Sequence, residues 1–186
     1  MAEITVLVPV ADDSEEIETA CITDTLTRAG AKVVVASVMP NLQVKMSRGL
    51  KIVADCSIED CAGKEWDAIV CPGGMPGAEH LRDSPALIEL LKEQSKRSKV
   101  TAAMCASPAV VFSTHGLLPE TATCYPNPKF KAMVPGWQEA QVVVDGHVIT
   151  SQGPGTSLHF ALKIVEKLFG KEKSEETAKA MLVDLH

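Results

Sequence analysis

The twelve residues VTAAMCASPAVV, 100–111, decide how this chain is read. The apolar run ending at Met104 has the length of a buried strand. SPAVVFSTHG then reads as a helix, with Pro108 tolerated in its first turn. Cys105 stands at the join. A strand that breaks sharply into a helix is the geometry of a nucleophile elbow, and its strained turn needs small residues two positions to either side of the nucleophile. Ala103 and Ser107 fill those positions. The first amides of the following helix would point at the sulfur and favour its thiolate. An inert thiol packed among small residues fits the same letters, because cysteine is among the most buried residue types. The rest of the chain has to choose.

Outward from this stretch, strands and helices alternate. Residues 4–10 and 32–38 read as buried strands, with a helix between them over EEIETACITDTLTRAG. Ser14 is placed to cap that helix, acids occupy its first turn, and Gly30 stands just past its end. LQVKMSRGLKIVAD predicts two short strands around Arg48-Gly49, and WDAIVCPGG a strand stopped by Pro-Gly-Gly. Residues 84–94 have helical spacing, and AQVVVDGHVITS predicts two strands around Asp145-Gly146. GPGTSLHFALKIVEKLFG is a loop followed by an amphipathic helix, and residues 174–185 form a last helix. The main strands are continuously apolar, as expected where helices cover both faces of a mostly parallel sheet. The expectation is a single three-layer α/β domain over residues 1–186, with its site at the carboxyl ends of the strands.

Composition agrees with a soluble globular domain. Of 186 residues 46% are hydrophobic and only 4% aromatic, so aliphatic side chains must fill the core. A net charge of −6 argues against general nucleic-acid binding and against anionic membranes, and no stretch has the length of a membrane span. The N-terminal MAEITVLVPVADD lacks a basic leader ahead of a cleavable apolar segment. The six cysteines include no C-x-x-C, and the five histidines are scattered, so reduced thiols in the cytoplasm are expected rather than disulfides or zinc.

The loops ADDSEE, PGGMPG, CAS and SQGPGT all leave carboxyl strand ends and would share one rim if the strands are parallel. Gly73 and Gly74 could add backbone N–H groups to that of Ala106, forming an oxyanion pocket beside Cys105. Glu18 shares a helical stripe with Ile22, Thr25 and Ala29, which draws its carboxyl towards the core, raises its pKa, and lets it donate a hydrogen bond to a thiolate. Glu15 and Glu16 read as ordinary first-turn acids.

Taken in order, EEIET, SRGLKI, PGGMPGAEHLRDS, AAMCASPAVV and TSQGPGTSLHFALKIVEKLFGKE resemble the ThiJ/PfpI superfamily, and within it the Parkinson-disease-protein (DJ-one) subgroup. The resemblance runs through nearly the whole chain. It implies a flavodoxin-like sandwich related to class I glutamine amidotransferases, a homodimer, and no cofactor. It places the family's reactive cysteine on Cys105, its cysteine-bonded glutamate on Glu18, its oxyanion glycines on Gly73 and Gly74 and the elbow amide on Ala106. Arg48 and Arg28 match arginines that approach the site across the dimer and would contact anions, although Arg28 also reads as a solvated surface charge.

The implied activity is that of a cofactor-independent glyoxalase or deglycase acting on methylglyoxal, glyoxal and early glycation adducts through a thiolate, with protection against oxidative stress. The alternative is a redox-sensing chaperone whose cysteine oxidises to the sulfinate. A cysteine peptidase is disfavoured, because Tyr125 stands where some members carry the histidine of a triad, and nothing in the residues supports thiazole biosynthesis. His115 reads as a packed helix-end residue. Cys21 and Cys71 read as structural, while Cys124, next to Tyr125, is close enough in sequence to approach the site.

Overall fold

The computed structural model describes residues 3–184, built as strands β1 (Thr5–Val10), β2 (Lys32–Ser37), β3 (Gln43–Lys45), β4 (Lys51–Val53), β5 (Cys56–Ser57), β6 (Ala68–Cys71), β7 (Val100–Met104), β8 (Val142–Asp145) and β9 (Val148–Ser151). The helices are α1 (Glu16–Arg28), α2 (Gly77–Arg82), α3 (Pro85–Lys96), α4 (Pro128–Ala132), α5 (Ser157–Phe169) and α6 (Lys171–Ala180). Seven strands form one sheet in the order β5-β2-β1-β6-β7-β9-β8, parallel throughout except for the β8–β9 hairpin. The central order β2-β1-β6-β7-β9 is the doubly wound, flavodoxin-like one, whose direction switches between β1 and β6. Strands β3 and β4 form a separate hairpin around Arg48-Gly49.

The continuous apolar strands are explained by burial on both faces. Val6, Val8 and Val10 of β1 join Ala102 and Met104 of β7 beneath Ile22 and Leu26 of α1 and Phe160 and Ile164 of α5. Leu7, Ile69 and Ala103 point the other way, onto Leu81, Leu87, Leu91 and Phe112. Truncating a fully buried residue such as Ile22 to alanine would cost about 2–5 kcal/mol.

Local chemistry departs from expectation at several points. The cap of α1 is Glu15, whose carboxylate accepts from the Glu18 amide at 2.8 Å, while the Ser14 hydroxyl accepts from the Ala11 amide and closes the preceding turn. Serine and acidic side chains can both cap, and here Ser14 is already spent on the turn. The segment after Cys105 is helical but wide, a π-type turn over Pro108–Ser113. Short helices α2 and α4 fall in segments to which no element was assigned from the sequence. The last helix starts earlier than expected, at Lys171, because Gly170 at φ 94° breaks the chain after α5, and it ends at Ala180 before Leu182 turns left-handed at φ 57°. Leu185, the predicted end, lies outside the described residues. No helix among the described residues is long and apolar enough to cross a membrane.

Candidate active site

The site lies at the carboxyl ends of β1, β6 and β7, beside the switch point of the sheet. Cys105 follows β7 directly and adopts φ 59°, the left-handed region that non-glycine residues rarely enter. Its backbone is clamped from both sides: its amide donates to Ser151 O at 3.0 Å at the end of β9, and its carbonyl accepts from the Tyr125 amide at 2.8 Å. The Ser107 hydroxyl donates to Pro72 O, which ties the elbow to the loop after β6. Strain of this kind costs about 1–3 kcal/mol and persists only where the surroundings hold it. The thiol is half-buried, neither sealed in hydrocarbon nor free in solvent.

Glu18 is fully buried. Its Oε2 accepts from the Gly73 amide at 2.7 Å, while Oε1 is buried with no hydrogen-bond partner of good geometry and the carboxyl faces the Cys105 thiol. Gly73 sits where these groups meet. A Cβ added to it would lie 2.5 Å from Cys105 Cβ and 3.0 Å from Glu18 Oε2, so only glycine fits. Gly74, at φ 92°, is pressed against the loop after β1, and a Cβ there would lie 2.3 Å from Asp13 O.

Electrostatics couple the two acids. Burial pushes Glu18 up from 4.5 to about 7; the Gly73 amide and Cys105 oppose this, and the Glu15 charge adds to it. Burial, then the charge of Glu18, pushes the Cys105 thiol up, against the Gly74 and Ala106 amides that donate towards the sulfur. The sequence suggested a thiolate favoured both by helix amides and by a hydrogen bond from a protonated Glu18. The geometry supplies the two amides for that bias, yet burial first and an ionised Glu18 second push against it. The two groups are therefore one coupled acid, and a thiolate at Cys105 requires Glu18 to keep the proton.

The remaining residues singled out in the sequence fall apart from this pair. The Gly73 amide, expected in the oxyanion pocket, is engaged by Glu18, which leaves the Gly74 and Ala106 amides on the sulfur. Arg48 lies exposed in the β3–β4 turn, its amide donating to Glu16 Oε1 at 2.8 Å; Glu16 thus pins that turn rather than serving only as a first-turn acid. Arg28, at the far end of α1, is exposed and paired with Asp24 at 2.7 Å. Neither arginine reaches Cys105 within one chain. His115 is tied to Arg82 O at 2.9 Å, as a packed helix-end residue would be. Cys124 is buried, its thiol is pushed up to about 11 by burial, and it points to Tyr125 O rather than to Cys105. Tyr125 is 45% exposed, and its ring lies 3.3 Å from the position of an added Gly153 Cβ, at the mouth of the site. The backbone anchors Ser151 and Pro72 were not individually readable, although their loops were placed on the same rim. Among the described residues no three His, Cys, Asp or Glu side chains converge as metal ligands.

A doubly wound α/β sandwich with a cysteine on a strained elbow, paired with a buried glutamate from the first helix, defines the class of protein. The chain belongs to the DJ-1/PfpI family, whose pattern it matches over residues 4–167. It is 42% identical to the Parkinson disease protein 7 homolog of Danio rerio over 189 residues, covering 98% of each chain. It is 40% identical to the glutathione-independent glyoxalase DJR-1.2 of Caenorhabditis elegans over 172 residues, 91% of each. Protein DJ-1 homolog B of Arabidopsis thaliana is 48% identical over 179 residues, 96% of this chain but 41% of that protein. The chain thus spans less than half the length of its two Arabidopsis relatives. Among solved structures, the oxidized DJ-1 of Toxoplasma gondii superposes with a TM-score of 0.94 at 48% identity, covering 97% of this chain and 98% of that one.

Proposed function

We propose that the protein is a cofactor-independent glyoxalase and deglycase, acting as one unit over residues 1–186, with Cys105 as nucleophile and Glu18 as proton carrier. The observation that carries this reading is the buried Glu18 carboxyl facing an elbow thiol that two amides also address. The Cys105 sulfur adds to the aldehyde carbon of methylglyoxal, and the thiol proton ends on the new hydroxyl of a hemithioacetal. The Gly74 and Ala106 amides stabilise the oxyanion formed on the way, a contribution of about 2.7–4 kcal/mol per well-placed donor. Glu18, as carboxylate, removes the proton from the former aldehyde carbon and returns one to the neighbouring carbon. The resulting thioester is cleaved by water to lactate and free thiol, so methylglyoxal and water together become lactate. Glyoxal gives glycolate by the same route. Early adducts of these aldehydes on Cys, Lys or Arg side chains present the same carbon to the sulfur. The relative named a glutathione-independent glyoxalase supports this reading.

The site is completed in a homodimer. Ile17, Leu50 and Val53 are 53%, 53% and 71% exposed on α1 and the β3–β4 hairpin, an apolar face suited to a second copy. Arg48 stands on the same hairpin, and through such a contact Arg48 and Arg28 would supply positive charge for anionic products or adducts. The six free thiols suit the cytoplasm. The test is turnover of methylglyoxal: Cys105→Ala and Glu18→Ala must each lose it, and retained turnover in either overturns the assignment.

A second reading, a redox-sensing chaperone, is favoured by the same donors. The Gly74 and Ala106 amides and a protonated Glu18 would hold the oxygens of a Cys105 sulfinate as well as they hold an oxyanion. Negligible wild-type turnover with selective oxygen addition at Cys105 would favour this reading over catalysis.

A further inference from the structure

The hexapeptide CSIEDC, residues 56–61, builds a second thiol site. Cys56 begins β5, the edge strand of the sheet, and Cys61 closes the 3-10 turn Glu59–Cys61 that follows. Their sulfurs lie 3.7 Å apart, in van der Waals contact. The turn between them is pinned from within: the Ser57 hydroxyl donates to Asp60 Oδ2 at 2.8 Å, and the Asp60 amide donates back to Ser57 Oγ at 3.3 Å. Ile58, fully buried, anchors it to the core. The two thiols therefore face each other because of the fold and not by chance rotation of long side chains.

Their surroundings differ. Cys56 is half-buried and Cys61 is buried. Burial, then Cys56, pushes the Cys61 thiol up to about 12, against the pull of Lys64. One thiol can thus meet a small oxidant while the other waits behind it. A disulfide needs an S–S bond of about 2.05 Å, so the sulfurs must close by less than 2 Å or so. A two-residue edge strand bonded to β2 on one side can give that much.

We propose that Cys56 and Cys61 are a peroxide-reactive dithiol that closes to an intramolecular disulfide, a modification site separate from Cys105. The Cys56 thiolate attacks one oxygen of a hydroperoxide; the O–O bond breaks, water or an alcohol leaves, and Cys56 becomes a sulfenic acid. The Cys61 sulfur then attacks the Cys56 sulfur. The S–O bond breaks, and the departing hydroxide takes the Cys61 proton as water. Two electrons pass from the dithiol to the peroxide, and a thiol reductant reverses the bridge. Direct exchange with Cys105 is excluded by distance. Strands β2, β1 and β6 separate β5 from β7, which at about 4.8 Å per strand is roughly 19 Å across the sheet.

The full reduced chain is treated with hydrogen peroxide, alkylated, digested with trypsin and analysed by mass spectrometry. Lys51 and Lys64 flank both cysteines, so one peptide, residues 52–64, carries the answer. The expected result is loss of two hydrogens from this peptide and of both alkylation sites, each restored by dithiothreitol. Two alkylatable thiols persisting at peroxide levels that oxidise Cys105, or oxygen accumulating on Cys56 without closure, would overturn the proposal. In Cys61→Ser, Cys56 should be trapped as its sulfenic acid by dimedone; no adduct counts against it. In Cys105→Ser the bridge should form at the wild-type rate, and slowing beyond about tenfold would show that oxidation passes through Cys105 and would contradict a separate site.

Discussion

Cys71 and Cys105 sit at the ends of neighbouring parallel strands, and in the β6–β7 register Cys71 pairs with Ala103, two residues before Cys105. Their fates differ completely. Cys71 finishes its strand in extended backbone, fully buried, and burial alone pushes its thiol up. Cys105 lies one residue past its strand, turned to φ 59°, where it gains two amides, a facing carboxyl and a path to solvent. Reactivity is therefore a property of the turn and its neighbours, not of cysteine as such. The same lesson separates the two ends of α1, where Glu18 is buried against the thiol while Arg28 is solvated and paired with Asp24.

The largest expected contrast is in turnover. Cys105→Ser should lower methylglyoxal turnover by on the order of 10³-fold or more, while Cys71→Ser leaves it within about twofold. A comparable loss in both would erase the distinction between the two strand ends. Glu18→Ala should cost about 10²–10⁴-fold, the range for a lost general acid–base group.

Stability should depend on pH through Glu18. Its pKa is about 7 in the folded chain and 4.5 in the reference state, so the folded chain holds the extra proton between these values. Stability is fully present below about pH 4.5 and falls as pH rises through about 7, by about 3 kcal/mol in all. Glu18→Gln should flatten this slope in denaturant titrations at pH 5 and pH 8. A slope unchanged by the substitution would show that Glu18 does not carry it.

Gly73→Ala should cost about 1–3 kcal/mol, because the added Cβ overlaps the Cys105 Cβ, and should displace Glu18 as well. Thermal unfolding and turnover should therefore fall together, and a stable, active variant would contradict the close approach. The smallest effect is the stability cost of Cys71→Ser, about 1–2 kcal/mol for a hydroxyl buried in apolar surroundings.

Much of this arrangement was legible in the letters. The small residues around Cys105, the apolar strands and the stripe through Glu18 each report a local rule, and together they imply one rim. What stayed hidden depends on distances between segments far apart in sequence. Nothing in PGG says that the Gly73 amide is taken by Glu18 while that of Gly74 is left for the sulfur, because that division is made by a helix 55 residues away. Ser14 and Glu15 are both capping types, and only the Ala11 contact decides between them. The pairing of Cys56 with Cys61 depends on the 3-10 turn between them, which C-x₄-C spacing does not specify. The reversed electrostatic balance at Cys105 depends on burial of two acids together, which a helical stripe suggests but does not measure.

The pH dependence of Cys105 alkylation, mapped by mass spectrometry with Cys71 as internal comparator, is the most direct test of the coupled pair. A Glu18 that keeps the proton leaves the charge on sulfur despite the burial that pushes the thiol up, so wild-type alkylation at Cys105 should inflect below the ordinary thiol value of about 8.5, with Cys71 unmodified throughout. An inflection at or above that of an ordinary thiol, about 8.5, would contradict the claim that Glu18 keeps the proton and leaves the charge on sulfur.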